Sequence, residues 1–403
     1  MTEPRTLLCL ASYEKGQSFM RSAKAEGWKV VLMTSQSLKD EAEWPREAID
    51  EIFYMPDVDK KWDREQTLRA VSYLARTRRF DRIVPMDDFD LEVAAMLREH
   101  LRVPGMGDTT TRYFRDKLAM RVRARSAGVT IPDFVHVLSD QDVADFTTNV
   151  PAPWVLKPRF LAGAIGIKKC ANAAELDEHV KKLGDERSFY VLERYIPGDV
   201  FHVDTLVHNS EILFARASQY GRPPLNVSHD GDVFTSRLLD PNGDVSKSLV
   251  AMNAQVLSAM RLVRGASHTE FIRSHADGTY YFLETSARVG GAHLAEMVHA
   301  GTGIDLWAEW ARTEIAGEDG TYTLPAVKPG FAGLLISLAR DEWPDTAAFD
   351  DTEIVWRLKK RHHVGLAVKA SSEARVQELL TSYLERLRKD FLATAPPQNK
   401  TTD

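Results

Sequence analysis

The chain has 403 residues, 44% of them apolar and 27% charged, with a formal net charge of −6. That length holds two or three domains with ample core, the composition is that of a soluble globular protein, and the negative charge gives no overall pull toward nucleic acid. The cysteines, Cys9 and Cys170, are too few for a zinc site or a disulfide framework and fit a reducing, cytoplasmic setting. No secretory leader and no apolar run long enough to cross a bilayer is visible, so no membrane partner is expected.

Strand-like runs at residues 6–10, 29–33, 52–54 and 82–85 alternate with helical patterns at 19–26, 66–78 and 91–101. Such alternation predicts a doubly wound parallel sheet, an N-terminal α/β domain over residues 1–112. The turn after the first strand, Ala11-Ser12-Tyr13-Glu14-Lys15-Gly16, lacks a glycine-rich dinucleotide fingerprint, and the chain has no Walker A motif. A helix is predicted over 112–127, then strands at 154–157 and 165–170 joined by a glycine-bearing loop, a helix at 175–183, and strands at 189–193 and 200–207. The helix predicted at 249–261 leads into a hairpin over 268–284, and another helix covers 304–315. The two prolines of 323–330 suggest a boundary, with strands at 332–337 and 363–369, a helix at 374–391 and a frayed tail after about 394. A second domain of α+β character over 113–320, with a smaller subdomain at about 130–195, and a C-terminal α+β segment over 321–403 follow from this order.

The hairpin carries the strongest chemical signal. An Ala276-Asp277-Gly278 tip reads as a three-residue loop with glycine in the left-handed position. Pairing His275 with Thr279 then places Glu270 opposite Glu284 on one face, with Ser286 opposite His268. Facing like charges destabilise a sheet, and Mg²⁺, which uses one or two carboxylates plus phosphates, relieves them. Arg288 follows, ahead of Gly290-Gly291. Lys157 ends an apolar strand just before the loop bearing Gly163 and Gly166, a geometry that aims an ammonium at phosphate while loop amides fold over it. Lys117, beside Asp116, offers a second phosphate contact. Glu193, with Tyr195 and Ile196, offers an acid and apolar surface for adenine, and Asp199, His202 or Asp204 could reach a ribose. His229, Asp230 and His293 are candidates for deprotonating an amine.

In this order and spacing, Asp116-Lys117, Lys157-Pro158 with its glycine loop, Glu193 to Asp204, Glu270 with Glu284, Ser286 and Arg288 resemble the ATP-grasp superfamily. The runs Val84 to Asp90 and Pro104 to Gly107 resemble its lead-in domain, and the likeness is strongest to the carboxylate–amine ligases, including bacterial L-amino-acid ligases. The resemblance implies ATP and Mg²⁺ as cofactors. Lys117 and Lys157 would hold phosphates under the loop from Phe160 to Gly166, and Glu193, Tyr195 and Ile196 would line adenine. Glu270 and Glu284 would bind the metal, and Arg288 would meet the reacting carboxylate or acyl phosphate. Two departures stand out: Ser286 occupies the position of a usual asparagine ligand, and Val200 that of a usual acidic ribose contact, leaving Asp199 or His202 to substitute. The implied reaction joins a small carboxylate, an amino acid, to an amine. The rival acceptor is a carrier-protein thiol, and a rival of another class is a silent nucleotide-binding protein; a homodimer stays open.

Overall fold

The computed structural model describes residues 4–317 and 320–393, so the predicted frayed tail lies outside the described residues. The chain begins with β1 (Thr6–Ala11), α1 (Gln17–Ala25), β2 (Lys29–Ser35), β3 (Glu51–Met55), a ribbon of β4 (Asp57–Val58) and β5 (Lys61–Trp62), α2 (Arg64–Leu74), β6 (Arg82–Pro85) and α3 (Leu91–Leu101). β1, β2, β3 and β6 form a parallel sheet in the order β3-β2-β1-β6. All six residues of β1 are buried, as a parallel strand covered on both faces requires. The strand order reverses at β1. The crevice beyond the carboxyl ends of β1 and β6 is therefore a topological switch point, the place where open α/β sheets bind ligands.

Next come α4 (Asp108–Arg115) and α5 (Lys117–Ser126). The sequence suggested one helix over 112–127, and the structure breaks it at Asp116. That residue adopts an extended backbone (φ −95°, ψ 107°), and its carboxylate accepts from Leu118 N to cap α5. Lys117 thus starts a helix at a corner, and Arg121 lies one turn along the same face.

A small antiparallel sheet with order β7-β10-β8-β9 contains β7 (Phe134–His136), β8 (Trp154–Pro158), β9 (Lys168–Cys170) and β10 (Tyr190–Arg194), with α6 (Asp140–Asn149) and α7 (Ala173–Leu183) against it. Its own core includes Trp154, Leu156, Cys170 and Leu192. The remainder comprises β11 (Gly198–His208), β12 (Glu211–Tyr220), α8 (Pro224–Asp230), β13 (Phe234–Leu238), α9 (Asp244–Met260), β14 (Gly265–Ser274), β15 (Tyr280–Ser286), α10 (Leu294–Thr302), α11 (Leu306–Ala316), β16 (Phe331–Leu338), β17 (Ile354–Arg357), β18 (His363–Ala370) and α12 (Glu373–Asp390). Its strands make one antiparallel sheet, β15-β14-β11-β12-β13-β16-β18-β17. The proline-bearing stretch at 323–330 therefore precedes strands that continue this sheet rather than found a new one. No helix among the described residues is long and apolar enough to cross a membrane.

The parallel sheet meets the large sheet through α1 and α11, where the Phe19 and Trp310 rings cross edge to face with centroids 5.2 Å apart. Both side chains are buried in one core with Leu7, Leu294 and Met297. Trp310→Ala is expected to destabilise the fold by about 3–5 kcal/mol, the cost of deleting a buried aromatic. A urea-unfolding midpoint unchanged from wild type would show that this contact does not tie the two sheets together.

Candidate active site

β14 and β15 place Glu270 opposite Glu284 and His268 opposite Ser286. The route to that pairing differs from the expected one. The turn is longer, closed by Ser274 N to Thr279 O and Gly278 N to Ser274 O, both 2.9 Å, with Gly278 at φ +71°. Arg273 consequently pairs with Tyr280, one residue out of the predicted register, and a bulge at Leu283 restores the glutamate pairing.

Both glutamates line a cavity of about 390 Å³ between the large and small sheets. Each is compensated by a different flank. Glu284 takes the Lys117 ammonium at 2.9 Å, and although burial disfavours its charge, Lys117 keeps its carboxyl below the usual range. Glu270 accepts from Tyr220 Oη at 2.8 Å and lies 3.6 Å from His268 Nε2. Behind it runs a buried chain: His268 Nδ1 to Asp204 Oδ1 at 2.9 Å, Asp204 Oδ2 to His202 Nδ1 at 2.8 Å, and His202 Nε2 to Ser236 Oγ at 2.8 Å. Burial works against an imidazolium at His268, yet Asp204 and Glu270 push its pKa up to about 9. The trio His202, Asp204 and His268 has ligand atoms within 4.8 Å of one another, but these hydrogen bonds already employ them.

The lysines arrive from separate elements and line the same cavity. Lys157 Nζ lies 2.7 Å from Glu193 Oε2, and Arg121 Nε lies 3.0 Å from Glu193 Oε1. Burial pulls the Lys157 ammonium down to about 8 despite Glu193. The loop after β8 is bound to α4 and α5 through three successive carbonyls. Lys117 N donates to Arg159 O at 3.0 Å, Arg115 Nη2 to Phe160 O at 2.8 Å, and Lys117 Nζ to Leu161 O at 2.7 Å. Gly163 lines the cavity in the left-handed region (φ +67°), while Gly166 (φ +72°) lies outside the lining, where a Cβ would meet Pro158 Cγ at 2.9 Å.

Glu193, expected at an adenine amino group, lines the cavity and is paired with Arg121 and Lys157, as a carboxylate this deeply buried requires cationic partners. Tyr195 and Ile196 do line the cavity. Other expected placements differ. Neither expected ribose contact reaches it. Asp199 points from the opposite face of β11 to Val200, is exposed, and pairs with His275. His202 shares the face of Val200 but is completely buried between Asp204 and Ser236. Val200 itself lines the cavity. His229 is exposed on α8, Asp230 is tied to Arg222, and His293 contacts Glu296 and lies tilted against the Trp356 ring, and none of the three lines the cavity.

Ser286 and Arg288 both line it. Arg288 Nε and Nη2 donate to Asp88 Oδ2 at 2.9 and 2.6 Å. Asp88 follows β6 at the switch point, and despite burial Arg288 and Arg115 hold its carboxyl far below the usual range. Sequence reasoning did not single out Asp88, Arg121, Tyr220 or His268. The available signals were the acidic cluster directly after a strand end for Asp88, the four-residue spacing from Lys117 for Arg121, and the alternation with Glu270 for His268.

Residues 20–105 match the ATP-grasp N-terminal domain. The chain is 28% identical over 234 residues to the L-arginine-specific L-amino acid ligase of Bacillus subtilis, covering 57% of this chain and 56% of that protein. It is 23% identical over 195 residues to a D-alanine–D-alanine ligase of Dechloromonas aromatica, covering 47% and 63% respectively, so the chain spans a little over half the length of these curated relatives. Its structure resembles L-amino acid ligase from Bacillus licheniformis (TM-score 0.73, 19% identity, 97% and 98% of the two chains). It also resembles N5-carboxyaminoimidazole synthetase from Staphylococcus aureus complexed with ADP (TM-score 0.71, 16% identity, 94% and 97%). Residues 20–105 thus match an ATP-grasp N-terminal domain, and the chain as a whole shares the fold of these ligase and synthetase structures.

Proposed function

We propose that the protein is an ATP-dependent ligase that activates an amino acid's carboxylate as an acyl phosphate and couples it to an amine, releasing ADP and phosphate. The observation that carries this is the convergence of two facing carboxylates, Glu270 and Glu284, with Lys117, Lys157 and Arg288 on one cavity. A carboxylate is a poor electrophile. When its oxygen attacks the γ-phosphorus, the bond to the β–γ bridging oxygen breaks and ADP leaves. The amine nitrogen then attacks the acyl carbon, the acyl C–O bond breaks with its electron pair going to phosphate, and the ammonium proton passes to solvent. Such transfers need positioning and charge neutralisation rather than a nucleophilic side chain.

Lys117 and Lys157 would hold the phosphates beneath the loop from Phe160 to Gly166, and Tyr195 and Ile196 would line the base. Glu270 and Glu284, with Ser286 beside them, present the hard oxygen donors that suit Mg²⁺. When bound, Mg²⁺ neutralises charge on the phosphates. Arg288, its guanidinium oriented by Asp88, would meet the carboxylate being activated.

Glu284→Gln and Glu270→Gln are each expected to lower amino-acid-dependent phosphate release by about 100-fold or more. Wild-type rates in either variant would refute the metal assignment. Arg288→Lys keeps the charge and loses the fork, so it should cut turnover strongly while ATP affinity measured alone changes little. Equal losses in both would assign Arg288 to ATP binding instead.

Lys157 gives a pH signature. With its pKa held at about 8, it is partly uncharged in the free protein near that pH. A triphosphate beside it favours the charged form, so ATP binding should take up as much as about half a proton at pH 8, more above it and fewer well below it, where the lysine is already charged. Calorimetry in two buffers of different ionisation enthalpy measures this uptake. Its persistence in Lys157→Met would place the titrating group elsewhere.

A further inference from the structure

The strand directions give the cavity a polarity. Gly198, Val200 and Ile272 lie toward the hairpin tip, beside Tyr195 and Ile196. Glu270 and Glu284 lie in the middle, and His268, Ser286 and Arg288 lie toward the other end. The large sheet adds a second axis. Lys117 approaches Glu284 on edge strand β15, whereas Tyr220 on β12 approaches Glu270 from the sheet interior. Beyond Tyr220, on that interior flank, stands a wall that the phosphate and base assignments leave unused.

We infer that the activated substrate is an amino acid with an apolar side chain, seated against Tyr220, Phe234, Leu294 and the turn Pro223-Pro224-Leu225. This rests on the proposed ligase chemistry. The Tyr220 and Phe234 rings pack edge to face, 5.4 Å between centroids, and Tyr220 Oη reaches Glu270 at 2.8 Å, so the wall stands directly beside the activation centre. Leu294 opens α10, six residues after Arg288, and lies close enough to Gly290 that a Cβ there would meet its Cδ1 at 3.3 Å. Arg288 and Leu294 of this wall are thereby on one short segment.

The charges nearby exclude a cationic side chain. The acids lining the cavity are Asp88, Glu193, Glu270 and Glu284, and each already has a cation or hydrogen-bond donor. The acids on the turn itself face away from substrate. Arg222 takes Asp230 at 2.5 Å and Asp232 at 2.6 Å, and Arg388 Nε of α12 takes Asp232 at 2.8 Å. This Arg–Asp–Arg clasp fastens the turn to the C-terminal helix and spends both carboxylates on holding it. The polar lining residue on the turn is Asn226, exposed at the rim.

The test is a phosphate-release assay on the full chain with ATP and pairs of amino acids, followed by product mass analysis. The residue supplying the carboxylate becomes the N-terminal residue of a dipeptide. Leucine, methionine or phenylalanine is expected in that position, with kcat/KM at least about tenfold above aspartate, lysine or arginine, the scale on which an apolar pocket discriminates. Phe234→Ala should raise KM for leucine and leave KM for ATP near its wild-type value. Leu225→Asp, a change on a half-buried turn that keeps the fold, should shift preference toward arginine or lysine. A charged residue preferred by the wild type, or apolar residues found only in the C-terminal position, would overturn the pocket and leave the ligase chemistry standing. If no pair releases phosphate, the ligase chemistry fails. Direct calorimetric binding of leucine against arginine, with a non-hydrolysable ATP analogue present, then decides the side-chain preference by itself, tighter arginine binding overturning it.

Discussion

Two like charges facing each other across a hairpin are the constraint around which this molecule is arranged. Glu270 and Glu284 cannot both remain ionised in a cavity without compensation. The compensation comes from opposite sides and unrelated elements. Lys117, at the first turn of a helix created by the Asp116 cap, serves Glu284. Tyr220 and a buried His268, itself supported by Asp204 and His202, serve Glu270. The asymmetry is chemically useful. Under the proposed function, a flexible ammonium would be free to move to a phosphate and leave Glu284 to a cation, whereas the Tyr220 hydroxyl and the buried chain His268, Asp204, His202 and Ser236 hold Glu270 in place.

A second constraint ties this hairpin to the N-terminal sheet. The switch point between β1 and β6 ends in Asp87 and Asp88, and a buried carboxylate there must find a cation. Asp87 finds Lys15 and Asp88 finds Arg288, 200 residues away. Asp90, which accepts from Ser12 N with both oxygens, makes no ion pair among the described residues, and burial together with Asp87 pushes it up to about 8. The same crevice thus holds one carboxylate charged for contact across the sheets and one that favours its neutral form. Arg288 consequently has its orientation set by Asp88 of the N-terminal sheet and its position set by the β14–β15 hairpin.

What could be read from the sequence follows from which constraints are local. The opposed glutamates are legible because period-two alternation and turn chemistry operate over fifteen residues. Even so, the correct pairing is reached by a different route, since the longer turn shifts the register and the Leu283 bulge shifts it back. The break at Asp116 was written in the sequence as a capping residue but was overridden by helical periodicity on both sides. Depth is what alternation cannot supply. His202 has the correct face and lies too far inside, while Asp199 lies at the start of β11 on the wrong face. Partners distant in sequence were not legible at all: nothing local marks Arg121 and Lys157 as the claimants of Glu193, or Asp88 as that of Arg288.

Lys117 shows how these local and distant constraints meet in one side chain. Its backbone N–H holds Arg159 O, so its helix start is also the anchor of the glycine loop. Its ammonium has three donors, and Glu284 and Leu161 O take two of them. Glu284 and the loop are therefore coupled through a single cation. Under the proposed function, a triphosphate that recruited this ammonium would compete with both contacts at once. Lys157 cannot play this part, because burial and Glu193 fix it at a strand end with its charge only marginally maintained. Of the two lysines, one is fixed at a strand end by a buried carboxylate, and the other links the position of the loop to that of Glu284.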